Sequence, residues 1–267
     1  MRFRFRPRVY DPLSFLRSIA VLSSLAYASP ALAGVIDFET LQDGLTAPTD
    51  DAALDRTVGF TFDGTNSVTF GFDYSGNDFN ADTDAVFEAR GSDKFNGFES
   101  KQAELNGGAK HDTERPGSAY SLGNFFLRQP ASIGSVPGPF IIDYAQVVSA
   151  LSGEIWDIDT GSAGYEQWKV TAFDAGGTTI TSLLSPKGDT LQTNSSSGDS
   201  LPWIFSIAGS GIKKVAIEFV GTNKIVGLAF NNFNPSSATV PEPTSLLVFS
   251  IGALSLVRVR PRRRAAT

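Results

Sequence analysis

The chain has 267 residues, no cysteine, and a formal net charge of −6 at pH 7. Disulfides therefore contribute nothing to its stability, and a domain of about 200 residues can bury a core without them. An acidic protein is repelled by the phosphates of nucleic acid, so we expect no nucleic-acid partner.

The N-terminal segment, residues 1–33, has the pattern of a secretory signal peptide. Residues 1–17 carry five arginines, and residues 18–28 are apolar or small. Ala31 and Ala33 have the small-x-small form that signal peptidase recognises, so we predict a signal helix cleaved after Ala33. Cleavage after Ala28 is the alternative.

Both chain ends are basic, so the segment between them is more acidic than the whole chain. Residues 1–33 contribute +4 and residues 241–267 contribute +4, which leaves −14 for residues 34–240. Divalent cations outside a cell would relieve the repulsion between its carboxylates.

Residues 34–235 are predicted to form one all-β domain. Between residues 67 and 74 apolar side chains alternate with small or polar ones, which is typical of a strand with one buried face. Asp174 to Gly177 supply the residues of a hairpin turn between two further strands. Short strands of this kind predict an antiparallel β-sandwich of two sheets, resembling a jelly roll. The predicted strands are residues 35–39, 60–62, 67–74, 85–88, 122–127, 140–148, 153–158, 166–173, 179–184, 203–207, 213–220 and 226–233.

Three acidic residues around a glycine-bearing turn form a candidate cation site. Asp157 and Asp159 alternate along the chain, and Glu166 follows Gly161 and Gly164. Calcium binds six to eight hard oxygen ligands, and such carboxylates could converge on it. The spacing is not that of an EF-hand, and a solvated acidic turn is the alternative.

A second candidate cation site would join the two ends of the domain. In jelly-roll carbohydrate-binding modules a structural calcium ion often links the first strand to the last. Asp37 and Glu39, with Asn231 and Asn232, resemble that arrangement. The resemblance implies Glu39 and Asn232 as ligands, although an uncharged amide oxygen binds calcium more weakly than a carboxylate. The alternative is that Asp37 and Glu39 bind no ion and are the outward-facing residues of a strand that alternate with buried neighbours.

Three aromatic residues are candidate glycan contacts, because flat rings suit the apolar faces of sugars. They are Trp156, Tyr165 and Trp203, of which Trp203 is expected to be the most exposed. Core packing is the alternative for each ring. Trp168, which alternates with Val170 and Ala172, is expected to be buried.

The sequence gives little support for catalysis, so we expect a non-catalytic protein. The chain has one histidine, His111, so a zinc site made of several histidines is excluded. The sequence also lacks the G-x-S-x-G motif that would carry a serine nucleophile. An enzyme that acts on polysaccharide with two carboxylates, a glycosidase or a lyase, remains the alternative.

A Ser/Thr-rich linker, residues 236–240, precedes the C-terminal segment. Pro241, Glu242 and Pro243 then end the folded domain, because each proline fixes φ and removes a backbone donor.

The tail after these prolines combines an apolar run with a basic end. As a helix, the 12 residues of the run 246–257 would rise ~18 Å, short of the ~30 Å hydrocarbon core of a bilayer. The basic end contains Arg258, Arg260, Arg262, Arg263 and Arg264.

This order of Pro-Glu-Pro, apolar helix and arginine cluster resembles the C-terminal sorting signal of PEP-CTERM proteins. The resemblance covers residues 241–267 and implies processing by the membrane enzyme exosortase. An ordinary tail-anchor helix is the alternative. We therefore expect a protein secreted across the inner membrane, anchored there transiently, and released to the cell surface or extracellular matrix. Its expected partners are signal peptidase, an exosortase-type enzyme and extracellular polysaccharide.

Overall fold

The computed structural model describes residues 34–76, 78–92, 98–99, 114, 118–130, 136–161, 164–188, 201–223 and 229–237. The predicted signal peptide, most of the predicted linker, the sorting tail and His111 lie outside these residues. Within them, no helix is long and apolar enough to cross a membrane.

The described residues contain eleven β-strands and no helix. The strands are β1 (Phe60–Thr61), β2 (Ser67–Phe72), β3 (Val86–Ala89), β4 (Phe125–Arg128), β5 (Phe140–Trp156), β6 (Thr160–Gly161), β7 (Gly164–Tyr165), β8 (Trp168–Phe173), β9 (Thr179–Leu184), β10 (Trp203–Phe219) and β11 (Ala229–Ser237).

Nine of these strands form one antiparallel sheet. Its order is β3-β4-β11-β5-β10-β8-β9, with β2 also paired to β5 and β1 paired to β2. Strands β6 and β7 form a separate small hairpin. The all-β fold class is confirmed, whereas the two predicted terminal helices fall outside the described residues.

The sheet folds over itself because its two longest strands run through both layers. Strands β5 and β10 have 17 residues each. The first part of β5 pairs with β2, and its last part pairs with β11. Phe140, at the start of β5, stacks on Phe230 with ring centroids 4.2 Å apart, although Phe230 pairs with Ile155 near the other end of β5. The two halves of the sheet thus face each other across a phenylalanine-rich core, as in a β-sandwich.

Two pairs of predicted strands are single continuous strands in the structure. Residues 140–148 and 153–158 belong largely to β5, and residues 203–207 and 213–220 to β10. Gly153 suggests a break, but a Cβ there would lie 2.6 Å from the ring of Phe233 on the neighbouring strand β11, so the glycine makes room for that ring instead. Gly211, with φ +82°, lies where the β5–β10 register shifts, so it accommodates a bulge within β10.

The first predicted strand, residues 35–39, is reduced to one bridge. Ile36 N–H donates to the carbonyl of Phe233 (2.8 Å), and Phe233 N–H donates to that of Ile36 (3.0 Å). Phe38, with φ +59°, turns its ring into the core against four other phenylalanines. This bridge joins the beginning of the described domain to its last strand.

Two local predictions are confirmed closely. Trp168, Val170 and Ala172 are all fully buried on the inner face of β8. The predicted turn joins β8 to β9, with Gly177 at φ +79° and Asp174 N–H bonded to the carbonyl of Thr178. Asp174 also accepts hydrogen bonds from turn amides through its carboxylate. Alternation and turn chemistry therefore located this hairpin correctly.

Candidate functional site

The first candidate cation site lies at the β6–β7 hairpin. Thr160 pairs with Tyr165 across the hairpin, and Glu166 N–H donates to the carbonyl of Asp159 (2.9 Å). The hairpin therefore brings together the acidic residues that precede it and the one that follows it. Asp157 and Glu166 are buried, with exposures of 6% and 1%, and Asp159 is half-buried.

Two other segments close around this hairpin. Gly188 N–H donates to the carbonyl of Glu166 (2.8 Å), and a Cβ on Gly188 would lie 1.8 Å from the carbonyl oxygen of Asp159. From the other side, Asn223 donates its side-chain N–H to Glu166 Oε1 (3.3 Å) and its backbone N–H to the carbonyl of Tyr165 (3.0 Å). The sequence pattern did not indicate Gly188 or Asn223, because both are distant from the acidic turn along the chain.

Glu166 is buried beside two other acidic residues. Burial raises the pKa of its carboxyl well above the ordinary value, and the negative charges of Asp157 and then Asp159 raise it further. None of the salt bridges among the described residues involves Glu166, and its Oε2 atom accepts no hydrogen bond from them. Hydrogen bonds from the backbone of Asp159 and the side chain of Asn223 only partly offset the rise in the pKa of Glu166. The arrangement favours whatever can supply positive charge to it, either a proton or a cation.

In the second candidate site, Glu39 and Asn232 form hydrogen bonds to different partners. Glu39 accepts hydrogen bonds from Asn124 Nδ2 (2.9 Å) and from the backbone N–H of Phe125 (3.2 Å). Asn232 donates its side-chain N–H to Glu154 Oε2 (2.8 Å) and to the carbonyl of Ser121 (3.1 Å). Both residues hold segment 121–125 in place, and whether an ion also binds there stays a prediction.

Glu154 is a buried carboxylate that the sequence could have indicated. It lies two residues before Trp156 on β5, so both side chains share one face of the strand. Trp156 Nε1 donates to Glu154 Oε2 (3.0 Å). Burial raises the pKa of Glu154, and hydrogen bonds from Asn232 and Trp156 partly offset that effect.

A third acidic cluster is formed by Asp50, Asp51 and Glu88, whose carboxylate oxygens lie within 4.8 Å of one another. The Arg128 guanidinium forms salt bridges to both Asp51 and Glu88. A fixed cation is thus already part of this cluster. Nothing in the sequence pattern connects Glu88 to the distant Asp50 and Asp51.

The predicted glycan-contact rings have three different environments. Trp156 is fully buried and presents no open face. Trp203 is half-buried and packs against the core. Tyr165 is also half-buried, and Lys187 Nζ lies 4.3 Å from the centre of its ring.

A surface groove that the sequence did not indicate offers another aromatic contact. Its cavity volume is about 390 Å³, and Phe79 and Phe173 lie within it with ring centroids 5.2 Å apart. Lys214 Nζ holds the Phe79 segment in place through hydrogen bonds to the carbonyl of Phe79 (2.8 Å) and to Asn80 Oδ1 (2.7 Å). The charged side chains that line the groove are Asp78, Asp143, Asp174, Lys213 and Lys214.

No family model and no curated protein matches the chain. The geometry of these clusters and the pattern of the two chain ends therefore have to support any functional proposal.

Proposed function

We propose that the chain is an exported, non-catalytic protein of the cell surface or extracellular matrix, and that its β-sandwich binds extracellular polysaccharide. Export is supported by the signal-peptide pattern of residues 1–33 and by the resemblance of residues 241–267 to a PEP-CTERM sorting signal. Calcium as a structural partner is part of the proposal, because the exported segment is strongly acidic.

The Phe79–Phe173 groove is the observation that carries the binding role. Phe79 is half-buried, lines the groove and packs against Phe173, and charged side chains line the same groove. An aromatic surface flanked by hydrogen-bonding side chains is the usual chemistry of a sugar-binding site.

The carboxylates of the groove fit binding better than hydrolysis. A glycosidase needs a general acid whose pKa is raised. Hydrogen bonds from Asn80 hold the pKa of Asp78 below its usual value. Asp143 is paired with Lys213 (3.0 Å) and Lys214 (3.8 Å), and Asp174 accepts hydrogen bonds within its own turn. These carboxylates therefore already have hydrogen-bond or ion-pair partners that help to hold the groove in shape.

Replacing Phe79 with asparagine is expected to weaken polysaccharide binding at least about 10-fold, because stacking against the ring is lost. Asparagine is chosen because Phe79 has φ +58°, a conformation that asparagine tolerates. Affinity electrophoresis of the full chain through gels containing polysaccharide from the native cells would measure the loss.

The matched control is Tyr120→Asn, which removes an exposed ring outside the groove. This variant is expected to bind like the parent. Equal retardation of both variants would contradict the groove assignment. The release of new reducing ends by the parent protein would instead indicate an enzyme.

Export has its own test, mass spectrometry of the protein from its native cells. The expected mature chain begins at Gly34 and lacks the arginine-rich end. A cytosolic protein that retains both Met1 and Arg264 would overturn the proposed route.

A further inference from the structure

The buried carboxylate of Glu166 has no cationic partner among the described residues. Its Oε1 atom accepts a hydrogen bond from Asn223, while Oε2 is buried and accepts none. Buried carboxylate oxygens are ordinarily hydrogen-bonded, paired with a cation or bound to a metal. Because Glu166 is only 1% exposed, bulk water does not supply that partner.

The negative charges near Glu166 further favour the binding of a cation beside its carboxylate. Asp157 and Asp159 lie close enough to act on its carboxyl electrostatically. In the cluster of Asp51 and Glu88, by contrast, Arg128 forms salt bridges to both carboxylates. No arginine or lysine forms a salt bridge with Glu166 within the part of the chain that the structure describes.

We propose that a divalent cation of the calcium type binds at the β6–β7 hairpin between the carboxylates of Asp157 and Glu166, with Asp159 contributing negative charge. Carboxylate oxygens are the ligands that calcium prefers, and backbone carbonyls or waters complete its shell. Magnesium fits less well, because it sheds its waters reluctantly and Glu166 is buried. The inference deepens the calcium part of the proposed function by naming its site, and such binding requires neither export nor a glycan.

Terbium luminescence of the full chain tests this site directly. Tyr165 and Trp168 flank Glu166, so a bound Tb³⁺ ion is expected to emit when these rings are excited. After treatment with EDTA and its removal, we expect saturation at one Tb³⁺ per chain and displacement by CaCl₂. Glu166→Gln, which keeps the shape and the amide contact to Asn223, is expected to lower Ca²⁺ affinity at least about 10-fold, because a charged ligand is removed.

A matched pair of aspartate variants tests whether the ion binds at this site or at the cluster of Asp50, Asp51 and Glu88. Asp157 and Asp51 both have positive φ, at 65° and 61°, and asparagine tolerates that conformation. Asp157→Asn is expected to weaken Ca²⁺ binding at least about 10-fold, and Asp51→Asn to leave it unchanged.

Several outcomes would overturn the inference. One is that the parent chain shows neither emission nor a change in melting temperature on adding CaCl₂. Another is that Asp157→Asn and Asp51→Asn bind equally. If Glu166→Gln fails to fold, the aspartate pair still decides. Polysaccharide binding is measured separately at the groove, so failure there would leave this result untouched.

Discussion

Replacing Phe140 with alanine is expected to lower the free energy of unfolding of the domain by ~3–5 kcal/mol. A loss of that size approaches the whole free energy of unfolding of a marginally stable domain. Phe140 is fully buried and stacks on Phe230 at 4.2 Å with the rings 8° from parallel. It also contacts the rings of Phe72 (5.1 Å) and Phe233 (6.0 Å). Truncating it leaves a cavity between the two layers that rigid strands cannot collapse to fill.

Urea unfolding followed by circular dichroism would measure this change. The matched control is Phe125→Ala, which deletes the same atoms from a half-buried ring of β4 that packs against the same core. Its cost is expected to be less than half as large, because less apolar surface and a smaller cavity are involved. Equal costs would show that Phe140 has no special role between the layers.

Titration of the Glu166 carboxyl is expected to make the domain less stable as pH rises through the neutral range, in the absence of divalent cations. Burial, followed by repulsion from Asp157 and Asp159, raises its folded-state pKa far above the unfolded value of ~4.3. Between these two pKa values the folded chain holds a proton that the unfolded chain has lost. The stabilisation is therefore fully present below the unfolded pKa and is lost progressively toward the folded pKa, by up to ~1.4 kcal/mol per pH unit.

Urea midpoints in EDTA between about pH 5 and about pH 8 would measure this slope. Glu166→Gln is expected to remove most of it, because the amide does not titrate. Glu218→Gln serves as the matched control, since Glu218 lies near the surface in an ion pair with Lys169 (3.3 Å), and it is expected to keep the parent's slope. A slope that persists unchanged in Glu166→Gln would assign the pH dependence to other groups.

The local structure of several strands followed directly from the sequence. Val68, Phe70 and Phe72 are buried on one face of β2, as their alternation predicts. The β8–β9 hairpin likewise follows from the turn residues at Asp174 to Gly177. These features depend on neighbours within a few residues, which is the information that a single sequence contains.

The path of the long strands did not follow from the sequence. Around residues 149–153 serines and a glycine have the composition of a loop, yet they continue β5. Gly153 is small because Phe233 and Phe205 from other strands approach it, at 2.6 Å and 2.8 Å from a Cβ built there. That requirement comes from residues distant along the chain, so local composition could not distinguish it from a turn.

The candidate site was predictable to the same extent. The spacing of Asp157, Asp159 and Glu166 predicted that these residues flank one turn; they flank the β6–β7 hairpin, and the charges of both aspartates act on Glu166. The segments that bury them, containing Gly188 and Asn223, come from elsewhere in the chain. Burial decides whether an acidic turn stays solvated or acquires a partner, and the sequence does not specify burial.

Strands β5 and β10 belong to both layers of the sandwich, each pairing with the other over nearly its whole length. A proteolytic cut in the middle of β5 or β10 would therefore sever a strand that both layers share. A polymer attached to one layer would transmit tension to the other through continuous backbone rather than through side-chain packing alone. The domain should therefore resist mechanical separation of its two layers.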